Sequence, residues 1–199
     1  GESPLRSEVL QTNLVLTLAA AYMLAGQLSE AAGTYEEAAR QMTALGRDET
    51  QTAATLYNDW GLTLTLIGRP REAVNVLRRA IDISQDQRGD ESVSPLLLAN
   101  YARVLREVAR FDEASDYAER AHRLAVRLGL EATVNHALLT RARNYLAQGD
   151  TDRAEAMLDE VEPRIRQVLP EGHLTFGAVL AQRSLIAQLR GDLTGALAL

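Results

Sequence analysis

Residues 98–128 read LANYARVLREVARFDEASDYAERAHRLAVRL, and this stretch decides the fold. In its first half Leu98, Tyr101, Ala102 and Leu105 are spaced 3, 1 and 3 apart, which puts them on one face of a helix. In its second half Ala114, Ala118 and Ala121 repeat the pattern with smaller side chains. Ala109 and Arg110 join the halves, a connection so short that the two helices must run antiparallel and pack directly together. Small residues on the facing stripe suit that close approach, because larger ones would push the helices apart. The unit is a helical hairpin.

Working outward, the hairpin recurs. A small connection residue is followed five places later by alanine at Gly26 and Ala31, Gly68 and Ala73, Ala109 and Ala114, Gly149 and Ala154, and Gly191 and Ala196. The alanines are 42, 41, 40 and 42 residues apart. Seven places further on stand Ala38, Ala80, Ala121 and Val161. Sixteen places before each alanine lie Val15, Tyr57, Leu98, Leu138 and Leu180, and three after those Leu18, Trp60, Tyr101, Arg141 and Arg183. A fixed period of this length means stacked repeats sharing a continuous core. The repeats span about 12–53, 54–94, 95–134, 135–176 and a partial 177–199, and the whole of 1–199 reads as one array.

These residues resemble the tetratricopeptide repeat family. Trp60, Gly61, Leu64, Gly68, Ala73, Leu77 and Ala80 fill its pattern in the second repeat, and Ala19, Tyr22, Gly26, Ala31, Tyr35 and Ala38 in the first. The period is longer than the family's usual length of about 34 residues. It is similar to the longer-helix subtype found in kinesin light chains, as are the run Leu98-Ala99-Asn100-Tyr101-Ala102 and the linker Gly172-His173. Arg141 and Arg183 depart from the pattern, standing where an apolar residue is expected, and the proline that often closes a repeat is missing. The resemblance implies an all-α fold, a right-handed superhelical stack of antiparallel helix pairs, or α-solenoid, with about five repeats. It also implies a concave face lined by the first helix of each pair.

Composition agrees with helix and limits the chemistry. Aromatic residues make up 5% of the chain and there are only 5 prolines, so β-propensity is low and helix breakers are few. The formal net charge of −6 argues against a general nucleic-acid binder, which is normally basic. Cysteine is absent, which removes disulfides, thiolate metal sites and cysteine nucleophiles together. All 21 basic residues are arginine. A P-loop, a kinase-type ATP site and a pyridoxal Schiff base each need a lysine amine, so none can be built from these residues. His122, His136 and His173 are too far apart in sequence for a metal-binding pair, and no G-x-S-x-G turn is present. No cofactor and no metal are expected.

Local signals place the helix ends. Ser3-Pro4 suits a helix start, Asp48 with Gln51 reads as a capping box for the third helix, and Gly129 suits a left-handed C-terminal position. The apolar run from Leu14 to Ala25 is too short for a bilayer and no basic n-region precedes it, so it reads as a core helix in a cytoplasmic protein. The polar stretch QDQRGDES, residues 85–92, is a loop and not a domain boundary, because the repeat resumes in phase beyond it. The last repeat stops early in its second helix, leaving Leu193, Ala196 and Leu197 uncovered, which leads us to expect a longer protein.

The stripe of each first helix opposite its packed face carries the candidate functional residues. It reads Leu16, Ala20 and Met23; then Asn58, Leu62 and Thr65; Asn100, Arg103 and Arg106; His136, Thr140 and Arg143; and Gln182, Leu185 and Gln188. Asn58, Asn100, Arg103, Arg106, His136, Thr140 and Arg143 form the candidate peptide-binding set. Asparagine can donate to and accept from a peptide backbone, and arginine can clamp a carboxylate. The expected partner is a protein or peptide carrying acidic residues, bound without catalysis and without membrane insertion. Three alternatives stay open: these are ordinary solvated positions, the array self-associates through its apolar terminal repeats, or it is the regulatory arm of an enzyme whose catalytic domain lies elsewhere.

Overall fold

In the computed structural model of the chain, the structure describes residues 4–85, 89, 92–170 and 172–198, with the side chains of 4–9, 12, 197 and 198 outside that description. The cap expected of Ser3 and the exposure expected of Leu197 lie outside the described residues. Among the described residues ten helices follow in order: α1 (Pro4–Leu24), α2 (Leu28–Ala44), α3 (Gln51–Leu66), α4 (Pro70–Ser84), α5 (Pro95–Glu107), α6 (Phe111–Arg127), α7 (Glu131–Ala147), α8 (Thr151–Val168), α9 (Leu174–Leu189) and α10 (Leu193–Ala198). The fold is an all-α, TPR-like α-solenoid. Sequence-adjacent helices pack as pairs, α1 with α2, α3 with α4, α7 with α8 and α9 with α10. α5 meets α6 through Tyr101 and Tyr117, edge to face with ring centroids 4.8 Å apart. The chain divides into two compact units, Gly1–Asn100 and Tyr101–Leu199.

Each hairpin turns in the same way. The amide of Gly26 donates to the Met23 carbonyl at 3.1 Å and that of Gln27 to the Tyr22 carbonyl at 2.9 Å. The same two bonds recur at Gly68 and Arg69, Ala109 and Arg110, Gly149 and Asp150, and Gly191 and Asp192. This is a left-handed C-terminal cap that satisfies the last carbonyls of the first helix while reversing the chain. It requires positive φ, found at 74° for Gly26 and 77° for Gly68. The third junction adopts it with alanine: Ala109 has a φ of 60°.

In unit 1 the core gathers Ala19 from α1, Ala31, Tyr35, Ala38 and Met42 from α2, and Ala53 and Leu56 from α3. The recurring alanines Ala31, Ala38, Ala73 and Ala80 are fully buried, and an ideal Cβ on Gly61 would lie 2.5 Å from Cγ of buried Leu77. In unit 2 the core runs from Ala125 through Val134, Leu138 and Ala142 of α7 to Ala154, Leu158, Val161 and Ile165 of α8 and Val179 and Ile186 of α9.

The two arginines at apolar repeat positions take equivalent roles. Arg183 on α9 reaches back to α8, with Nη2 2.8 Å from Asp159 and 2.9 Å from Glu162. Arg141 on α7 reaches back to α6, with Nη2 3.7 Å from Glu119. Both side chains are mostly buried, their stems packed and their charges turned to a carboxylate of the preceding helix. One local expectation needs correcting. The cap of α3 is Thr50, whose extended backbone puts its hydroxyl over the first turn to accept from the Ala53 amide at 3.3 Å. Because the helix begins at Gln51, Asp48 is too early to cap it and instead lies 3.5 Å from Arg79.

Candidate functional site

The seven candidate residues fall in two groups, one in each unit. In unit 2, Arg103 and Arg106 stand three residues apart on α5, and His136, Thr140 and Arg143 occupy one stripe of α7. The guanidiniums of Arg103, Arg106 and Arg143 are close enough to disturb one another. Burial, and then the Arg106 charge, push the pKa of Arg103 down; burial, then Arg106 and Arg103, do the same to Arg143. Burial, followed by the charges of Arg103 and Arg143, holds the His136 imidazole below its ordinary value of 6.5. Guanidiniums stay protonated at any physiological pH, so like charges have been gathered in a poorly hydrated place.

Their neutralisation is incomplete. Glu107 is the carboxylate that opposes the depression of both Arg103 and Arg143. It bonds directly to Arg106, Nη2 to Oε1 at 2.7 Å. Arg106 is 13% exposed, yet its Nη1 is buried without an acceptor, as are Nε of Arg103 and Nε2 of His136. A buried donor without an acceptor costs about 1–3 kcal/mol. Three cations thus surround one anion, and the N–H groups left without an acceptor among them are donors of the kind an oxyanion accepts from. A carboxylate is the match for the planar donor fork.

Thr140 is differently placed. It is 2% exposed and its hydroxyl donates to the His136 carbonyl at 2.9 Å, so it packs within α7 and holds no free face toward a ligand. In unit 1, Asn100 is 5% exposed, and its Nδ2 donates to Oδ1 of Asn58 at 3.1 Å. Asn58 Nδ2 in turn donates to the Asp59 carboxylate at 3.0 Å. The two asparagines thus form a ladder joining α3 to the start of α5 and ending on an acid.

Two polar residues of α7 stand outside the sequence-derived set. Asn144 is buried with neither amide atom paired, and Oδ1 of buried Asn135 also lacks a partner. Their sequence signal is a polar residue beside the alanines and leucines of the packed stripe, which helical phase alone assigns to the surface. Among the described residues no group of three or more His, Asp or Glu side chains is arranged to hold a metal ion. Among the same residues no helix is long and apolar enough to cross a membrane.

Comparison with known proteins agrees with this architecture. The repeats of a kinesin-light-chain protein from Podosopora anserina superpose with a TM-score of 0.75 at 20% identity, over 94% of this chain and 90% of that one. The Rap conjugation gene regulator of plasmid pLS20, solved with the Phr* peptide, gives a TM-score of 0.74 at 15% identity, over 96% of this chain and 52% of that one. YrrB, described as a TPR protein with an unusual peptide-binding site, gives 0.57 at 16% identity, over 92% of this chain and 80% of that one. Identities this low show a common fold. No curated protein sequence matches. The family model of the MalT-like TPR region matches residues 5–199, nearly the whole length, and the chain belongs to that family.

Proposed function

We propose that the protein is a non-catalytic interaction module that binds an acidic peptide or a partner's acidic segment, with Arg103, Arg106 and Arg143 as its carboxylate subsite. The observation that carries this reading is the unsatisfied buried N–H groups of Arg103 and Arg106 among three mutually repelling guanidiniums. His136 borders the subsite as a neutral imidazole. Asn58 and Asn100 spend their amides on each other and on Asp59 in unit 1, and Thr140 supports α7 from within, so the arginines carry the reading. Peptide binding by the structurally similar Rap regulator and YrrB supports the same class of function.

The test is an array of acidic peptides read against the Arg103→Ala, Arg106→Ala double variant. Charge-assisted hydrogen bonds contribute about 1.5–3 kcal/mol each, so affinity should fall at least about tenfold while the helical circular dichroism is kept. Parent affinity should also weaken as salt rises. Acidic peptides binding the double variant as tightly as the parent would remove the arginine assignment.

A second reading has its own observation. Leu10, Leu14 and Leu18 form an exposed row at four-residue spacing along α1, with Leu14 70% exposed. A row of this kind is the contact a self-associating array would use. Concentration-dependent sedimentation that Leu14→Glu abolishes would favour self-association, and a monomer at all concentrations would exclude it.

A further inference from the structure

Unit 1 contains a second polar centre, opposite in sign to the arginine cluster and made of different residues. A cleft of about 280 Å³ opens between α1, α2 and α3. Leu16, Ala20 and Leu56 give it apolar walls, and Tyr35, Thr55 and Asp59 give it polar atoms. Tyr35 comes from the packed face of α2 and is 2% exposed, yet its hydroxyl is buried with no hydrogen-bond partner. The phenol is pushed up to about 12 by burial and then by the charge of Asp59, which puts the carboxylate within electrostatic reach of it.

Asp59 is itself held above the usual carboxylate range by burial, opposed by the hydrogen bond from Asn58. Among the described residues no arginine or histidine pairs with it. A half-buried carboxylate without a cation and a buried hydroxyl without a partner therefore share one cleft. Each is costly alone, and neither relieves the other. A group with several N–H donors and no acceptor, carrying a positive charge on an aliphatic stem, satisfies both at once.

We infer that this cleft binds a primary alkylammonium, which donates to the Asp59 carboxylate and to Oη of Tyr35 while its methylenes lie along Leu16, Ala20 and Leu56. Two sources present this chemistry, a lysine side chain of a bound peptide and a free aliphatic diamine. The inference does not rest on the arginine subsite, and either can fail without the other.

Calorimetric titration of the 199-residue chain with n-butylammonium, n-butanol and n-butyrate at fixed ionic strength tests it. Butylammonium should bind at least about tenfold more tightly than either of the others, since one charge-assisted hydrogen bond amounts to that factor. Asp59→Asn should abolish the preference, and Arg103→Ala with Arg106→Ala should leave it intact. Tyr35→Phe separates a ligand-binding hydroxyl from a structural one. It should weaken butylammonium several-fold, about the worth of one hydrogen bond, while the unliganded protein is as resistant to urea as the parent or more so, because an unpaired buried hydroxyl has been removed. Ac-Ala-Lys-Ala-amide and 1,4-diaminobutane then distinguish the sources, the tighter of the two naming the natural one. Equal binding of butylammonium and butanol, or an Asp59→Asn variant that keeps the preference, would overturn the inference.

Discussion

Replacing Ala109 by glycine should stabilise the protein, although it removes a methyl group and adds no contact. Ala109 has a φ of 60°, in the left-handed region, while the equivalent junction residues Gly26, Gly68, Gly149 and Gly191 occupy that region without a side chain. An L-residue with a Cβ pays roughly 1–2 kcal/mol there. Glycine returns about 0.4–1 kcal/mol of that through its greater freedom in the unfolded chain. The net gain is about 0.5–1 kcal/mol, and Ala109 is exposed, so little packing is lost with the methyl. At about 2–4 °C per kcal/mol for a chain of this size, the melting temperature should rise by about 1–4 °C.

Gly68→Ala is the mirror experiment. An ideal Cβ on Gly68 meets no heavy atom within 4 Å, so its cost is backbone strain alone and should match the Ala109→Gly gain in size with opposite sign. Urea titrations followed by circular dichroism measure both, with the slope of the transition as a check that the unfolded state has not changed. An Ala109→Gly variant that unfolds at lower urea than the parent, or a Gly68→Ala variant that matches it, would refute the account of the junctions.

Gly61→Ala should destabilise by about 1 kcal/mol, because its Cβ would press on Leu77 at 2.5 Å; overpacking costs about 1–3 kcal/mol and the better helix propensity of alanine returns up to about 1. Urea midpoints check this, and relief when Leu77 is shortened to valine would tie the loss to that contact. Arg143→Gln should leave thermal stability unchanged or raised, since it removes one of three repelling cations, while weakening acidic-peptide affinity at least about tenfold; a variant that loses both would be structural. His136 and His122 are both held below 6.5, chiefly by burial. As pH falls past that value the unfolded chain takes up protons that the folded chain refuses, so stability is full above about 6.5 and declines below it, before the surface carboxylates titrate. Urea midpoints between about pH 7.5 and 5.5 should show this decline and His136→Gln should make it shallower, whereas an unchanged slope in the variant would assign the effect elsewhere.

Much of the fold was legible because its signals are local. A helix needs only a 3.6-residue periodicity, and a close hairpin needs small residues and a left-handed junction at a fixed offset from them. Gly26, Ala31 and Ala38 carry all of that within one repeat. The charged exceptions were partly legible: the long stems of Arg141 and Arg183 allow an arginine at an apolar position, but which acids receive them depends on how α7 meets α6 and α9 meets α8. The cap at Thr50 was missed because a capping box and a plain cap two residues later share the same residue types, and only the backbone angles separate them.

The sequence by itself determined the helices, their pairing into hairpins, the repeat period and the stripe on which Arg103, Arg106, His136 and Arg143 lie. Those features depend on neighbours along the chain, which periodicity reports. Tertiary structure alone decided that Thr140 and Asn100 are buried, that three guanidiniums share one acid, and that Tyr35 and Asp59 line one cleft without bonding to each other. Such outcomes depend on which atoms of other helices exclude water from a side chain, and helical phase fixes a side chain's direction without fixing what stands in its way.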